Sequence, residues 1–220
     1  MKTKYVQLIS LAAATVAATL LATGCASTGY DKGNITAANI QSASDRIAAL
    51  PGQIDATLAS LNGLVTQPQA DLRPQYKEFA ANVADVESAA KDLAASRSNL
   101  AARQKEFFAK WDEELAQIQN PDIKARSQGR KEQVSQQLMT IKTSYAQADI
   151  VFKPFLADLQ DVQKYLSVDL TASGIAAIKD PVAKASQDAV PLKASLTKLA
   201  GDFKALGDAM SSVTPPPAPQ

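Results

Sequence analysis

Residues 71–111 of the chain read DLRPQYKEFAANVADVESAAKDLAASRSNLAARQKEFFAKW and decide the fold. Mostly apolar side chains recur there at alternating steps of four and three residues, which is the spacing of one helical face. The members of this stripe are Leu72, Tyr76, Phe79, Val83, Val86, Ala90, Leu93, Arg97, Leu100, Gln104, Phe107 and Trp111. The spacing predicts one long helix with a continuous packing face.

A second stripe with the same spacing runs from Ile123 to Leu166. Between the two stripes stands Asn120-Pro121-Asp122, a turn sequence in which Asp122 is suited to cap the following helix. Because a short loop makes consecutive helices antiparallel neighbours, we predict a hairpin over residues 71–166 with its tip near residues 119–122. In this register Arg97 faces Tyr145, and Trp111 faces Arg130.

Weaker helical patterns flank the hairpin on both sides. Residues 34–65 carry an apolar stripe, and Pro51 predicts a break or kink over residues 50–52. Beyond Leu166 we expect a short helical piece, then a last helix that begins with an Asp180-Pro181 cap and first-turn proline. Bends are also expected near Pro154 and Pro191.

The fold class that follows is all-α. Only 5% of the residues are aromatic and nine are glycine, a composition typical of long helices. We predict an elongated antiparallel coiled-coil hairpin of two long helices, with flanking N- and C-terminal helices packed as a partial bundle. The helical domain spans residues 34–212, and residues 213–220 form a proline-rich disordered tail.

The N-terminus indicates export and lipidation. Lys2 and Lys4 precede an uncharged apolar stretch that is shorter than the roughly 20 residues of a membrane span. This stretch leads to Cys25, the chain's single cysteine, and resembles a bacterial lipoprotein lipobox, although Ala22 stands where leucine is most common. The resemblance implies a signal peptide over residues 1–24 and acylation of Cys25, with palmitate-type chains as the membrane anchor.

The predicted lipoprotein has a short tether over residues 25–33. Ala26 follows the cysteine, and the absence of Asp at this position resembles an outer-membrane address facing the periplasm. The alternative is an ordinary cleaved signal peptide followed by a free cysteine. An unpaired thiol would be a liability in an oxidising compartment, so lipidation is favoured.

The charge balance argues against nucleic acid as a partner. Removal of residues 1–24 takes away two lysines, which leaves 21 of the 23 basic side chains against 22 acidic ones. Binding of nucleic acid requires a basic excess on one face.

The residues that usually carry catalysis are scarce. The chain has no histidine, which excludes a His base, a Ser-His-Asp triad and imidazole metal ligands. The carboxylates at 112–114 are interpreted as solvated charge. The basic run at 124–131 is expected to form ion pairs with them, the alternative being contact with phosphates or an anionic polymer. We therefore predict no enzyme activity, no metal site and no cofactor.

The predicted tip carries the candidate partner contacts. Trp111 fits the packing stripe, whereas Phe108 falls beside it and is available for a partner. Gln119 and Asp122 lie at the turn itself. These four residues are the predicted contact site.

The stretch Phe108-Ala109-Lys110-Trp111-Asp112-Glu113-Glu114-Leu115 has the form F-x-x-W-x-x-E-L. Together with the Asn120 turn and the run from Tyr145 to Leu166, it resembles a family of uncharacterised bacterial helical proteins. Many of these proteins carry lipoprotein signals. Family members have a basic, His-containing segment where this chain has residues 165–171, which contain no histidine. The resemblance implies the helical hairpin and no established activity.

Two functions remain open. The first is a lipid-anchored periplasmic scaffold or adaptor that reaches into the periplasm and binds an envelope protein through its tip or seam. The second is a chaperone-like or apolar-ligand-binding helical module. Self-association into a homo-oligomer is also open, because alanine positions on a long seam allow chains to pair.

Overall fold

The computed structural model describes the backbone of residues 29–211 and the side chains of residues 37–211. Five helices make up this part of the chain, which confirms the all-α class. They are α1 Gly29–Thr66, α2 Arg73–Gln117, α3 Pro121–Val168, α4 Ala172–Ala177 and α5 Lys179–Met210. The predicted signal peptide, Cys25 and the predicted tail from residue 213 onward lie outside the described residues. α1 begins five residues before the predicted start at residue 34.

Polar side chains cap the N-termini of two of the helices. The Oδ1 atom of Asn120 accepts hydrogen bonds from the backbone N–H of Asp122 at 3.0 Å and of Ile123 at 3.2 Å. The predicted cap at Asp122 is therefore wrong: Asn120 caps α3, and Asp122 lies in its first turn. There the carboxylate still interacts favourably with the helix dipole. Thr171 caps α4 in the same way through the N–H of Gly174.

The predicted start of the last helix is also different. α5 begins at Lys179, and the residue before it, Ile178, makes no side-chain cap. Asp180 thus lies in the first turn rather than at the cap position. The buried side chains of Ile178 and Val182 fix this start by packing rather than by capping.

Three prolines lie inside continuous helices. α1 runs through Pro51 without the predicted break, and α3 and α5 run through Pro154 and Pro191. A proline inside a helix costs about 3 kcal/mol. On either side of Pro51, Leu50 and Ile54 are buried on the same face, so packing holds α1 together across the proline.

α1 and α5 form the most tightly packed antiparallel pair. Ser44 Oγ donates a buried hydrogen bond to the Ala200 carbonyl at 2.9 Å, and Lys193 pairs with Asp55 at 2.6 Å. Small side chains on both helices allow this close approach. Those that are buried are Ala37, Ala185, Ala189 and Ala200. The flanking helices of the prediction therefore contribute the most closely packed pair of the core.

The remaining neighbours close a four-helix bundle. Asn82 Nδ2 on α2 donates to Ser60 Oγ on α1 at 3.0 Å. Tyr145 OH on α3 donates to the Leu93 carbonyl on α2 at 2.9 Å. Lys184 on α5 pairs with an α3 carboxylate at 2.5 Å. The long helices alternate in direction around the bundle in the order α2, α1, α5, α3.

Because the long helices alternate in direction, the sequence positions that lie at each end of the bundle are known. The start of α1, the α2–α3 connection at residues 118–120 and the end of α5 lie at one end of the bundle. The loop at residues 67–72 and α4 lie at the other. Arg130 of α3 donates a hydrogen bond to the Ala209 carbonyl, at the last turn of α5. The end of α2, the connection and the beginning of α3 therefore project beyond the end of α5. We call residues 108–130, which make up this projecting part, the tip segment.

Candidate functional site

An aromatic cluster lies near the end of α2, on the tip segment and on the residue just before it. Phe107, Phe108 and Trp111 have ring centroids 5.4 to 6.4 Å apart and are all half-buried. Trp111 Nε1 donates a hydrogen bond to Ser127 Oγ at 2.9 Å. The cluster therefore packs between the ends of α2 and α3, and part of each ring still reaches the surface.

Phe108 is less free than the sequence predicts. It packs against the core, and Lys131 Nζ lies 5.5 Å from its ring centroid, within the range of a cation–π contact. The same lysine pairs with Asp112 across the two helices. A surface hollow of about 410 Å³ opens beside Phe108, lined also by Asp112, Leu115, Gln128, Lys131, Glu132 and Ser135.

The predicted ion pairs between the two arms are formed only in part. Asp112 pairs across to Lys131, but Glu113 and Glu114 pair with Lys110 on their own helix, at 3.0 and 3.1 Å. The hydrogen bonds that Lys110 donates to Glu113 and Glu114 raise the pKa of Lys110. The reason is geometric, because positions three and four residues apart on a helix are nearer than the opposite arm.

Gln119 and Asp122 are exposed at the connection. The structure thus brings all four predicted contact residues to one end of the bundle, two of them half-buried and two exposed. The neighbouring Ile123 is a large apolar residue with 55% of its surface exposed, and the sequence analysis placed it on the packing stripe. It adds an apolar contact to the tip segment.

A polar cluster that the sequence analysis missed joins α3 to α5. Ser144 Oγ lies 2.5 Å from Asp202 Oδ2, and Lys198 Nζ lies 2.7 Å from both. A serine beside a lysine is also found in some hydrolases, but these need free N–H groups to stabilise an oxyanion. Ser144 lies in the middle of α3, where the backbone N–H groups are used by the helix, so the cluster is a polar tie between helices.

The α1–α2 interface contains a groove that the sequence analysis also missed. Two adjoining cavities of about 140 and 160 Å³ lie there and share Ala43, Arg46 and Ser96 as lining residues. The groove runs beside residues 39–53 of α1 and residues 89–103 of α2. It could not be found from periodicity, because it depends on the separation of two helices whose stripes look continuous.

Several acidic side chains of the described residues are paired with lysines. Within residues 29–211 no three His, Cys, Asp or Glu side chains are arranged to hold a metal ion. Burial raises the pKa of Tyr145, an effect that the nearby Arg97 partly offsets. The hydrogen bonds that Lys184 donates to Asp158 and Asp188 raise the pKa of Lys184.

These features define an elongated all-α protein built as an up-down-up-down four-helix bundle. The chain belongs to the family described as Protein of unknown function (DUF2959), whose model matches residues 23–202. The predicted resemblance to an uncharacterised family is thereby confirmed. No curated protein and no solved structure matches the chain. None of the helices in the described part of the chain is long and apolar enough to cross a bilayer.

Proposed function

We propose that the protein is a lipid-anchored, non-catalytic scaffold or adaptor of the bacterial cell envelope, and that it binds another envelope protein through the tip segment. The observation that carries this proposal is the combination of features at the tip. A half-buried aromatic cluster, an open hollow and the exposed side chains of Gln119, Asp122 and Ile123 lie together on helix ends that project beyond α5. Aromatic anchors in a pocket with a polar rim are typical of protein-binding surfaces.

The proposed anchor determines the orientation of the bundle. Four peptide units separate Cys25 from Gly29, so covalent geometry keeps their Cα atoms within about 15 Å of each other. α1 begins at the same end as the tip segment. Acylation of Cys25 would thus hold the tip near the membrane surface, with the loop at residues 67–72 directed away. The proposed partner is therefore membrane-proximal.

We also propose that α2 and α3 act as one unit, an antiparallel coiled-coil hairpin within the bundle. Three hydrogen bonds along their length support this. They are Tyr76 OH to the Gln163 carbonyl at 3.2 Å, Tyr145 OH to the Leu93 carbonyl at 2.9 Å and Trp111 Nε1 to Ser127 Oγ at 2.9 Å. A rigid hairpin keeps the tip segment in a fixed position relative to the anchor.

Photo-crosslinking in living cells tests the adaptor function. A photoreactive amino acid is placed at Phe108, Gln119 or Asp122, and a matched probe is placed at Gln69, an exposed residue at the opposite end. We expect one discrete envelope protein to be trapped from the tip and not from Gln69. Equal trapping from both ends, or capture of only a second copy of the chain, would contradict the proposed adaptor.

The anchor has its own test. Cys25→Ser should abolish incorporation of radiolabelled palmitate and release the protein from membranes. Ser27→Ala, a change at a neighbouring residue, is the matched control and should leave both unchanged. Persistence of Cys25→Ser in the membrane fraction would show that another segment or partner holds the protein there.

A second candidate function is the binding of an apolar ligand, and the α1–α2 groove favours it. The buried side chains of Ile40, Ile47, Leu50 and Phe203 line its cavities. An apolar floor with a few polar groups at the rim is typical of small-molecule sites.

A further inference from the structure

The groove lies where the packing between α1 and α2 is less complete than it is near the α1–α2 loop. Near the α1–α2 loop the two helices are linked by the hydrogen bonds of Asn82 to Ser60 and of Thr57 to the Asn82 carbonyl. From Ala89 onward, the α2 residues that face α1 line the two cavities instead. Leu93 and Leu100 are half-buried there, whereas Val83 and Val86 are almost fully buried.

The dimensions of the groove limit what it can hold. It extends beside residues 39–53 of α1, which is roughly 20 Å of helix at 1.5 Å per residue. Its two cavities of about 140 and 160 Å³ are small beside ligand pockets, which typically measure about 300–1,000 Å³. A long and narrow site suits one extended aliphatic chain and is too small for a helix or a two-chain lipid.

The charges of the groove differ between its ends. Arg46 and Arg103 both line the cavity that also contacts Phe203. Arg46 contacts the Ser42 hydroxyl at 3.3 Å, and neither arginine has a carboxylate within ion-pair distance among the described residues. Asp92, the one carboxylate among the residues lining the two cavities, belongs to the other cavity, which Arg46 also lines, so the end with Arg103 has two arginines and no carboxylate. The arginine end therefore complements an anionic group.

From this geometry we infer that the groove binds a long-chain aliphatic carboxylate, such as a fatty acid. The carboxylate lies between Arg46 and Arg103, where guanidinium groups offer charge-assisted hydrogen bonds. The chain extends past Ala43 and Ser96 toward Leu50 and Leu93. This inference rests on the second candidate function and is independent of the tip segment.

Photolabelling of the full-length chain tests the inference. The protein is reconstituted in phosphatidylcholine vesicles and irradiated with a dodecanoic acid that carries a diazirine near its chain end. Labelled peptides are then mapped by mass spectrometry. We expect the label to concentrate in residues 39–53 and 89–103, and excess unlabelled dodecanoate to compete for it. Uniform labelling of all exposed helices would overturn the inference.

Two variants and their controls locate the site. Arg46→Gln with Arg103→Gln should reduce labelling of the groove peptides by roughly tenfold, since hydrogen bonds to charged groups are the strong ones. Arg73→Gln, which removes one exposed charge at the opposite end of the bundle, should change nothing. Ser96→Phe fills the groove and should abolish the labelling, whereas Ser96→Ala should not. Melting curves followed by circular dichroism verify that each variant is folded.

A neutral probe separates the inference from the function on which it rests. Dodecanol with the same diazirine should label the groove weakly. If the alcohol labels the groove as strongly as the acid, and Ser96→Phe still blocks the labelling, the groove does not select a carboxylate. The inference would then be wrong, and the apolar-ligand function would remain supported. Absence of groove labelling by both probes would overturn the inference and the second candidate function together. The adaptor proposal is decided separately, by crosslinking from the tip.

Discussion

The α1–α5 interface and the second half of α2 have similar apolar spacing but very different packing. Leu61, Leu192 and Leu196 in the former are fully buried, at 0% exposure. In α2 every residue between Val86 and Leu115 is at least partly exposed, although the apolar stripe continues through Leu93, Leu100 and Phe107. Periodicity therefore identifies which face of a helix packs. It does not tell how closely the neighbouring helix approaches.

The largest expected effect tests this difference directly. Leu196→Ala should lower the free energy of unfolding by about 2–5 kcal/mol, because it leaves a cavity in a close-packed interface. Leu100→Ala removes the same atoms from a half-buried site beside a groove and should cost about 1 kcal/mol. Urea denaturation of the two variants and the wild type gives both values. Equal losses would mean that the second half of α2 is as tightly packed as the α1–α5 interface.

Hydrogen exchange provides a comparison that needs no mutation. Amides of α2 between Leu93 and Trp111 should exchange at least about tenfold faster than those of α1 between Ile47 and Leu58, because segments with fewer buried contacts open locally at lower free energy. Both segments are interior parts of long helices, so fraying at helix ends does not contribute. Mass spectrometry of peptic peptides measures the rates. Similar protection in both would show that α2 opens only with the whole bundle.

Much of the fold follows from the sequence, because helix existence depends on local spacing. The α2 and α3 stripes predict both long helices and the turn between them. The predicted contact of Arg97 with Tyr145 is confirmed, with the guanidinium carbon 5.9 Å from the ring centroid. Trp111 bonds to Ser127, one turn from its predicted partner Arg130 on the same face of α3, while the next residues of the two arms, Asp112 and Lys131, form an ion pair. A stripe with one apolar residue per turn does not distinguish registers that differ by a turn.

The remaining features depend on contacts between distant parts of the chain. Ser44 and Ala200 are 156 residues apart, and the polar cluster of Ser144, Lys198 and Asp202 joins residues up to 58 apart. No local pattern marks such pairs, since serine and lysine are common on exposed helix faces. The groove is similar, because Arg46 and Arg103 are 57 residues apart in the chain and line one cavity only through the packing of α1 against α2. The position of the tip residues at one end of the bundle could be predicted because a turn sequence lies beside them.

A smaller effect concerns the tip. Trp111→Phe keeps the ring packing and removes the hydrogen bond to Ser127, so the free energy of unfolding should fall by about 1 kcal/mol. Ser127→Ala removes the other partner and serves as the matched change. In the double variant the two losses should be clearly less than additive, as expected for residues in direct contact. Additive losses in denaturation experiments would show that the hydrogen bond contributes nothing to stability.

The smallest effect belongs to the α1–α5 interface and depends on pH. A hydrogen bond from Lys204, with a further one from Gln41, holds the pKa of Asp208 below its usual range. Gln41 is on α1, so the ionised carboxylate links the two helices. Since the pKa is lower in the folded state, the stabilisation is present above the unfolded pKa of about 3.9 and is lost as the pH falls through the folded value.

The test compares melting temperatures of the wild type and Asp208→Asn between pH 2 and pH 7, values chosen to bracket the pKa of about 3.9. The wild type should melt at a slightly higher temperature near neutral pH, and the difference should vanish as the carboxylate becomes protonated. Asp45→Asn is the control, because Asp45 lies on α1 and has no ion pair among the described residues. A difference that persists unchanged at the lowest pH would mean that the charge of Asp208 does not stabilise the interface, and that the substitution acts through packing alone.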